Sequence, residues 1–264
     1  MPLGGNKVAD SSSSSSSSKK SRRRQKQSAS SPASLMMPLA DSATNRIQAL
    51  YDMSRNVFAA ARPGFLPPPP SVAELSRFLN ALTPQDFGLD ASMPFFGGDP
   101  DGRPKVTYLH FADSPQFTFG VFCLPRSAVI PLHNHPGMTV FSKILLGSMH
   151  IKSYDWVSPQ DGGGRRSTGT PDGARVAKLK TDAVFDASSE TVVLYPEEGG
   201  NLHRFSATAP CAVLDVMGPP YCRDQGRDCS YYRVVGSDGQ HAWLREVPCN
   251  FDMDTVYVRP RIRK

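Results

Sequence analysis

The first part of the chain carries apolar residues at helical spacing. Between Ser42 and Ala61 the apolar positions recur three, four and seven residues apart, which places them on one face of an amphipathic helix. The run PGFLPPPP that follows ends this pattern. We therefore predict a helix over this segment, with an apolar face formed by Ile47, Leu50, Tyr51, Val57 and Phe58.

A second helix is predicted just after the proline run. Ser71 and Glu74 have the spacing of a capping box, in which the serine is the N-cap and the glutamate bonds back to its backbone. Apolar residues at helical spacing follow, namely Leu75, Phe78, Leu79 and Leu82. Two helices are thus predicted to precede the main domain.

The pattern changes after Gly98 to short runs of β-branched and aromatic residues separated by Gly, Pro, Asp and Ser. The runs are KVTYLHFA, QFTFGVFCLP, SKILLGSMHIKSYDW, ETVVLYP and CAVLDVMGPP. Their lengths and their alternating or continuous apolar character indicate strands of an all-β domain, arranged as a barrel or a sandwich. The stretch SPQDGGGRRSTGTPDGAR, residues 158–175, is predicted to be a flexible insertion between two strands.

The basic character of the chain lies in its N-terminal tail. Residues 1–45 contribute +5 of the net charge of +6, since they hold seven basic residues against Asp10 and Asp41. The eight-serine run and the basic cluster after it have almost no apolar surface to bury, so we predict a disordered tail at 1–41 and one domain at 42–264. The cluster fits a nuclear import signal and a solubilising tail equally well. The nearly neutral body disfavours direct binding of nucleic acid.

The cysteines and the hydropathy suggest the compartment. The five cysteines include no Cys-x-x-Cys pair, and the N-terminus has no apolar secretory signal, so reduced thiols in the nucleus, the cytoplasm or both are expected. No run of eighteen apolar residues occurs, and no membrane span is predicted. The protein is expected to be a monomer.

Three histidines stand out as candidate metal ligands. His133 and His135 lie at a predicted strand end, where residues two positions apart point to the same side and can bind one metal ion. His203 follows an apolar strand and a glycine-containing turn that would direct it into the same cavity. A His-x-His pair alone is often an ordinary surface or core feature. The other histidines are predicted to be structural or exposed, namely His110, His150 and His241.

Two motifs around these histidines resemble the signature motifs of the cupin superfamily. They are His133-x-His135 with Gly147 beyond, and Pro196-x-x-x-Gly200-x-x-His203. The resemblance implies a mainly β, cupin-type barrel (a double-stranded β-helix) preceded by the two helices. Many cupins place a ligating glutamate four residues after the second histidine, but Thr139 stands there. The predicted site therefore has three histidines and no carboxylate, which leaves open positions on the metal that suit a thiolate and dioxygen.

A closer resemblance extends from about Ser42 to the C-terminus. The segments HNHPGMTVFSKILLGSMHIKSYDW, NLHRF and DVMGPPYCRDQGRDCSYY together resemble the plant cysteine oxidases, relatives of the animal cysteamine dioxygenases. The resemblance implies an Fe(2+)-dependent dioxygenase that uses O2 to oxidise the N-terminal cysteine of a protein to cysteine sulfinic acid. In that family the plant substrates are ethylene-response transcription factors, whose oxidised N-termini are arginylated and degraded. It thus implies an oxygen sensor of the hypoxia response that acts through the N-degron pathway.

Asp215 is the most conspicuous carboxylate of the predicted strands. It stands in AVLDVMG on the same face as Val213 and Met217. Burial of an unpaired charge costs roughly several kcal/mol, so Asp215 is expected either to have a task or to form a salt bridge with an arginine at the barrel rim.

The resemblance to the plant cysteine oxidases places Asp215, Tyr221 and Cys229 in the active site beyond the metal ligands. It implies that Asp215 pairs with the substrate's α-ammonium group or accepts the thiol proton, and that Tyr221 donates a hydrogen bond to dioxygen at the iron. On the sequence alone, Tyr221 can equally pack behind the two prolines before it, and Cys229 can be a small buried apolar residue.

Three other functions remain open at this point. One is oxidation of a small thiol such as cysteamine or free cysteine, and another is a non-catalytic, metal-binding cupin. The third is a structural zinc site, whose candidate ligands have irregular spacing. They are Cys222, Cys229, His241 and Cys249.

Overall fold

The computed structural model describes residues 41–98, 101–158, 173–258 and 260–263. Residues 1–40 of the predicted tail and residues 159–172 of the predicted insertion lie outside these ranges. Two helices are followed by twelve strands in the described part of the chain. The helices are α1 (Asp41–Val57) and α2 (Pro69–Asn80). The strands are β1 (Val106–Asp113), β2 (Thr118–Leu124), β3 (Val129–Asn134), β4 (Thr139–Leu146), β5 (Ser148–Trp156), β6 (Arg175–Asp186), β7 (Val192–Leu194), β8 (Leu202–Ala207), β9 (Cys211–Gly218), β10 (Tyr231–Ser237), β11 (His241–Val247) and β12 (Met253–Tyr257).

The strands form two six-stranded sheets. One has the order β12-β1-β2-β9-β4-β7, and the other closes on itself in the order β10-β11-β6-β5-β8-β3. Strands β1 and β12 pair in parallel, whereas the other pairs are antiparallel. The predicted fold class, a mainly β, cupin-type barrel preceded by two helices, is therefore confirmed.

The helices cover the outer face of the first sheet. Ile47 and Leu50 of α1 and Leu75 and Leu79 of α2 are fully buried in one apolar cluster with outward residues of β1, β2 and β9. Complete burial of such a side chain contributes about 1.5–3 kcal/mol. The apolar stripes of both helices therefore pack as their spacing predicted. Neither helix is long and apolar enough to cross a membrane.

The start of α2 differs from the prediction. The helix begins at Pro69, Pro68 is its N-cap, and no side chain caps it, so the capping box of Ser71 and Glu74 is wrong. Proline is favoured at the first helical position because its φ is already helical and its missing N–H would have no partner there. The proline run thus starts the second helix as well as separating it from α1.

Alternation along β9 separates the two sides of the first sheet. Leu214 and Val216 face the cluster under the helices, whereas Val213 and Met217 pack in clusters on the opposite side. Asp215 lies two residues from both Val213 and Met217 and therefore on the same side of the strand, so its side chain points into the barrel interior. This interior is where the predicted metal ligands converge.

Candidate metal centre

Three histidine side chains meet inside the barrel. His133 on β3 pairs in register with His203 on β8, and His135 follows directly after β3. Nε2 of His203 lies 2.9 Å from Nε2 of His135 and 3.2 Å from Nε2 of His133. All three side chains are buried. Within the described ranges they are the one group of three or more His, Cys, Asp or Glu residues whose ligand atoms converge, here within 4.8 Å of one another.

The spacing of these nitrogen atoms fits a single metal ion. Nitrogen atoms that each lie about 2.1 Å from one ion, at right angles to each other, are about 3.0 Å apart. Two neutral imidazoles whose Nε2 lone pairs face each other at this distance repel unless a proton or a cation lies between them. A shared cation satisfies all three nitrogen atoms together.

The protonation of the histidines favours metal binding. Burial lowers the pKa of His133 to about 4 and, together with the neighbouring imidazoles, lowers the pKa of His135 and His203 well below the usual value. All three rings are therefore neutral at physiological pH, the form that donates a lone pair to a metal. Nδ1 of His133 lies 2.8 Å from the carbonyl oxygen of Pro131 and donates a hydrogen bond to it, which leaves Nε2 free as the ligand atom.

Tyr221 lies behind His135, on the side of the ring away from the other histidines. Its hydroxyl oxygen is 2.8 Å from Nδ1 of His135 and 2.9 Å from the carbonyl oxygen of Asn134. The hydroxyl group donates to that carbonyl and accepts from Nδ1–H, so Nε2 of His135 again carries the free lone pair. In this structure Tyr221 therefore orients a metal ligand. Its action on dioxygen stays a prediction.

Asn201 fixes the backbone of His135 and was missed by the sequence analysis. Its Oδ1 accepts a hydrogen bond from the N–H of His135 (3.0 Å), and its Nδ2 donates to the carbonyl oxygens of His135 (2.9 Å) and Tyr195 (2.8 Å). Asn201 is buried two residues before His203. One side chain therefore connects the two segments that carry the ligands.

Asp155 organises the turn that leads to His203 and was also missed. Its carboxylate accepts hydrogen bonds from the N–H groups of Gly199, Gly200 and Asn201 at 2.7–3.1 Å. Gly199 and Gly200 both have positive φ, at 86° and 91°. The Gly-Gly pair was a visible signal for a tight turn, but nothing in the sequence indicated that the carboxylate holding it lies more than 40 residues earlier.

Asp215 is buried with only 2% of its surface exposed. The hydroxyl group of Ser142, on the neighbouring strand β4, donates a hydrogen bond of 2.6 Å to Oδ1. Burial raises the pKa of Asp215 to about 7, while this hydrogen bond lowers it. Ser142 and His203 line the same small cavity, so the carboxyl group bonded to Ser142 lies close to the metal site. The polar partner of the carboxyl group is a serine rather than the arginine considered from the sequence.

Cys229 is a neighbour of Tyr221. Burial raises the pKa of its thiol, and the neighbouring hydroxyl groups of Tyr221 and Tyr231 lower it. The structure thus brings Cys229 next to a side chain that contacts a candidate ligand, and any direct part in catalysis stays a prediction.

The remaining histidines lie apart from this cluster. His110 and His150 contact the exposed carboxylates of Asp113 and Asp182, and His241 lies beside Asp238. These positions agree with the prediction that the three histidines are structural or exposed. The alternative zinc ligands form no convergent group in the part of the chain that the structure describes.

The fold and the three histidines define a cupin-type protein with a metal-binding site. The PCO_ADO family matches residues 78–260, and the chain belongs to this family. It is 44% identical over 227 residues to plant cysteine oxidase 1 of Arabidopsis thaliana, covering 78% of this chain and 75% of that protein. It is 45% identical over 217 residues to plant cysteine oxidase 2 of Arabidopsis thaliana, covering 76% and 75%. Human 2-aminoethanethiol dioxygenase is 33% identical over 192 residues, covering 67% and 69%. The resemblance found in the sequence is therefore confirmed.

Proposed function

We propose that this chain, a thiol dioxygenase by its family, oxidises the N-terminal cysteine of target proteins to cysteine sulfinic acid. The observation that carries the proposal is the cluster of three neutral imidazoles with no carboxylate among them. Such a set can hold a metal ion while leaving positions open for a substrate. The overall conversion adds both atoms of O2 to one thiol, so it balances without a reductant.

The metal proposed for the site is iron. Imidazole nitrogen is a suitable ligand for iron, zinc, nickel and copper alike, so the donor set fits iron without selecting it. The coupling of a thiol with O2 needs a redox-active metal, which zinc is not. The choice of iron among the others rests on the resemblance to the plant cysteine oxidases. When bound to His133, His135 and His203, iron would supply the activation of O2 and favour the thiolate form of the substrate.

Asp215 is proposed to accept the proton of the substrate's thiol or to bind its α-ammonium group. A carboxyl group with a pKa of about 7 is partly ionised at neutral pH and can accept the proton that the thiol releases. In its ionised form it would also attract the α-ammonium group of an N-terminal cysteine. Both roles need the carboxyl group inside the barrel, where alternation along β9 places it.

Tyr221 and Asn201 are proposed to keep His135 in place during turnover. Tyr221 fixes the tautomer and the orientation of the His135 ring, and Asn201 holds both the N–H and the carbonyl group of His135.

A protein N-terminus is the proposed substrate because the chain is more similar to the plant cysteine oxidases than to the human relative. We further propose that the physiological targets are ethylene-response transcription factors. Their oxidation would commit them to N-degron-mediated degradation and make the enzyme an oxygen sensor of the hypoxia response. The sulfinic acid is not readily reduced, which suits such a commitment. The proposed location is the nucleus, the cytoplasm or both.

A competition experiment tests the substrate. Iron-loaded protein is mixed in air with a Cys-initiated peptide, the same peptide with an acetylated N-terminus, free cysteine and cysteamine. We expect the free peptide to gain about 32 mass units and to be consumed first, while the acetylated peptide is unchanged. Preferential oxidation of cysteamine or free cysteine would favour a small-thiol dioxygenase. No oxygen consumption with any of the four would favour a non-catalytic cupin.

A further inference from the structure

A second cavity lies on the opposite side of strands β3, β5 and β8 from the metal site. The pairing of strands β3 and β10 consists of one residue pair, His133 and Tyr231. Beyond this pair the two strands separate around a cavity of about 530 Å³, whose wall includes Leu132, Tyr154 and Tyr232. Its volume lies in the range of small-molecule sites, about 300–1,000 Å³.

Along each strand, the residues that alternate with the inward-facing ones point away from the barrel interior, and they line this second cavity. On β8, His203 and Phe205 point inward, so Arg204 points to the second cavity. On β5, Lys152 lies between Ile151 and the inward Ser153, and it also lines the second cavity. The same strands therefore serve two sites, one on each face.

The cavity is positively charged. Lys152, Arg204 and Arg233 line it, and none of its lining residues is acidic. Lys152 is paired with Asp182 at 2.7 Å. In the described part of the chain, the guanidinium groups of Arg204 and Arg233 make no side-chain hydrogen bond or salt bridge.

The like charges are placed directly opposite each other. Lys152 and Arg204 are cross-strand partners in the β5–β8 pair, an arrangement that is unfavourable unless an anion offsets it. Lys152, Arg204 and the carboxylate of Asp182 all act on the pKa of the Tyr154 hydroxyl group, in agreement with their positions at one end of the cavity. Asp182 carries a single negative charge, so it offsets the lysine and leaves the two arginines without a carboxylate partner among the described residues.

The other walls of the cavity are apolar or aromatic. Leu132 and the ring of Tyr154 belong to a buried cluster, and Tyr232 packs against it. The Tyr232 ring is held edge to face by Trp156, with the ring centroids 5.4 Å apart. A preformed aromatic wall beside unpaired guanidinium groups suits a ligand with both an apolar and an anionic part.

We propose that this cavity is a second ligand site, which binds a small organic anion. Its phosphate or carboxylate group contacts Arg204 and Arg233, and its apolar part packs against Tyr154 and Tyr232. Guanidinium groups bind both anions through paired N–H donors, so the two chemistries share this recognition. The site is separate from the thiol site and does not depend on the proposed substrate.

Calorimetric titration of the iron-loaded protein with phenyl phosphate, benzoate and phenol tests this proposal. We expect phenyl phosphate, benzoate or both to bind about tenfold or more tightly than the uncharged phenol. Arg204→Gln and Arg233→Gln should each weaken that binding about tenfold or more, because a charge-assisted hydrogen bond is lost. Arg126→Gln, at an exposed arginine outside the cavity, is the matched control and should leave the affinity unchanged.

The arginine variants also distinguish binding of the anion in this cavity from binding of the anion at the metal. Both variants keep the three histidines, so an anion that binds the iron would bind them as tightly as the original protein. Bound ligand should raise the melting temperature of the original protein and have a smaller effect on either variant. Equal affinity for phenol, unchanged affinity in both arginine variants, or an equal loss in Arg126→Gln would overturn the proposal. If Arg204→Gln does not fold, Arg233→Gln carries the same expectation.

Discussion

The hydroxyl group of Ser142 donates a 2.6 Å hydrogen bond to Oδ1 of Asp215, and both side chains are buried in the barrel interior. This bond partly opposes the effect of burial, which raises the pKa of the carboxyl group to about 7. Ser142 therefore sets how readily Asp215 ionises. A residue with no direct part in the chemistry can thus tune the proton acceptor.

Replacement of Ser142 by alanine should shift the pH dependence of the reaction. Without the hydrogen bond the ionised form of Asp215 loses stabilisation, so its pKa rises. If ionised Asp215 is the active form, the rising limb of kcat/KM against pH should move to higher pH. Ser142→Thr keeps a hydroxyl group and is the matched control. An unchanged profile for Ser142→Ala would show that Asp215 does not limit the rate through its ionisation.

Replacement of Asp215 by asparagine should change how stability depends on pH in protein freed of metal by chelation. The carboxyl group has a raised pKa in the folded state, so its contribution to stability is fully present below its unfolded pKa of about 3.8 and is lost as pH rises through about 7. Asp215→Asn removes this loss. The free energy of unfolding of the variant, relative to the original protein, should therefore rise by about 2–4 kcal/mol between pH 4 and 8.

Denaturant unfolding at several pH values measures this trend. The exposed Asp224 provides the matched control, and Asp224→Asn should show no comparable trend. A difference between Asp215→Asn and the original protein that stays constant with pH would contradict the raised pKa.

Replacement of Tyr221 by phenylalanine should weaken metal binding. The variant keeps the ring but loses the hydroxyl group that contacts Nδ1 of His135, and loss of such a partner typically costs about tenfold to a hundredfold in metal affinity. Competition with a chelator measures the change. Tyr257→Phe, at a largely exposed ring, is the control. Unchanged affinity together with a slower reaction would instead favour the action of Tyr221 on dioxygen.

Replacement of Gly200 by alanine should destabilise the turn before His203. Gly200 has φ of 91°, and an added Cβ would collide with the side chain of Ser153. Gly239 has nearly the same φ, 93°, but open space around it, so Gly239→Ala carries only the conformational cost. We expect Gly200→Ala to lower the free energy of unfolding by about 1–3 kcal/mol more than Gly239→Ala. Equal losses in thermal or denaturant unfolding would show that the contact with Ser153 relaxes freely.

Local patterns predicted much of the fold and the ligand set. Alternation along a strand placed His133 and His135 on one side, and helical spacing identified the buried faces of both helices. The side chains that support the ligands were not predictable in this way. Asn201 and Asp155 act on backbone groups of segments that lie 66 and more than 40 residues away in the sequence, and only the folded barrel brings them together. The proline start of α2 was missed because Ser71 and Glu74 offered a plausible cap inside the helix.

The central claim is that His133, His135 and His203 hold the metal at which a protein's N-terminal cysteine is oxidised. Mass spectrometry of a Cys-initiated peptide, treated with iron-loaded protein under 18O2, tests it most directly. We expect a gain of about 36 mass units, since both oxygen atoms come from one O2, and no gain with His203→Ala, which should also lose iron. His150→Ala, at a surface histidine, should act like the original protein. An unlabelled product, or full labelling by a His203→Ala protein that has lost its iron, would contradict the account.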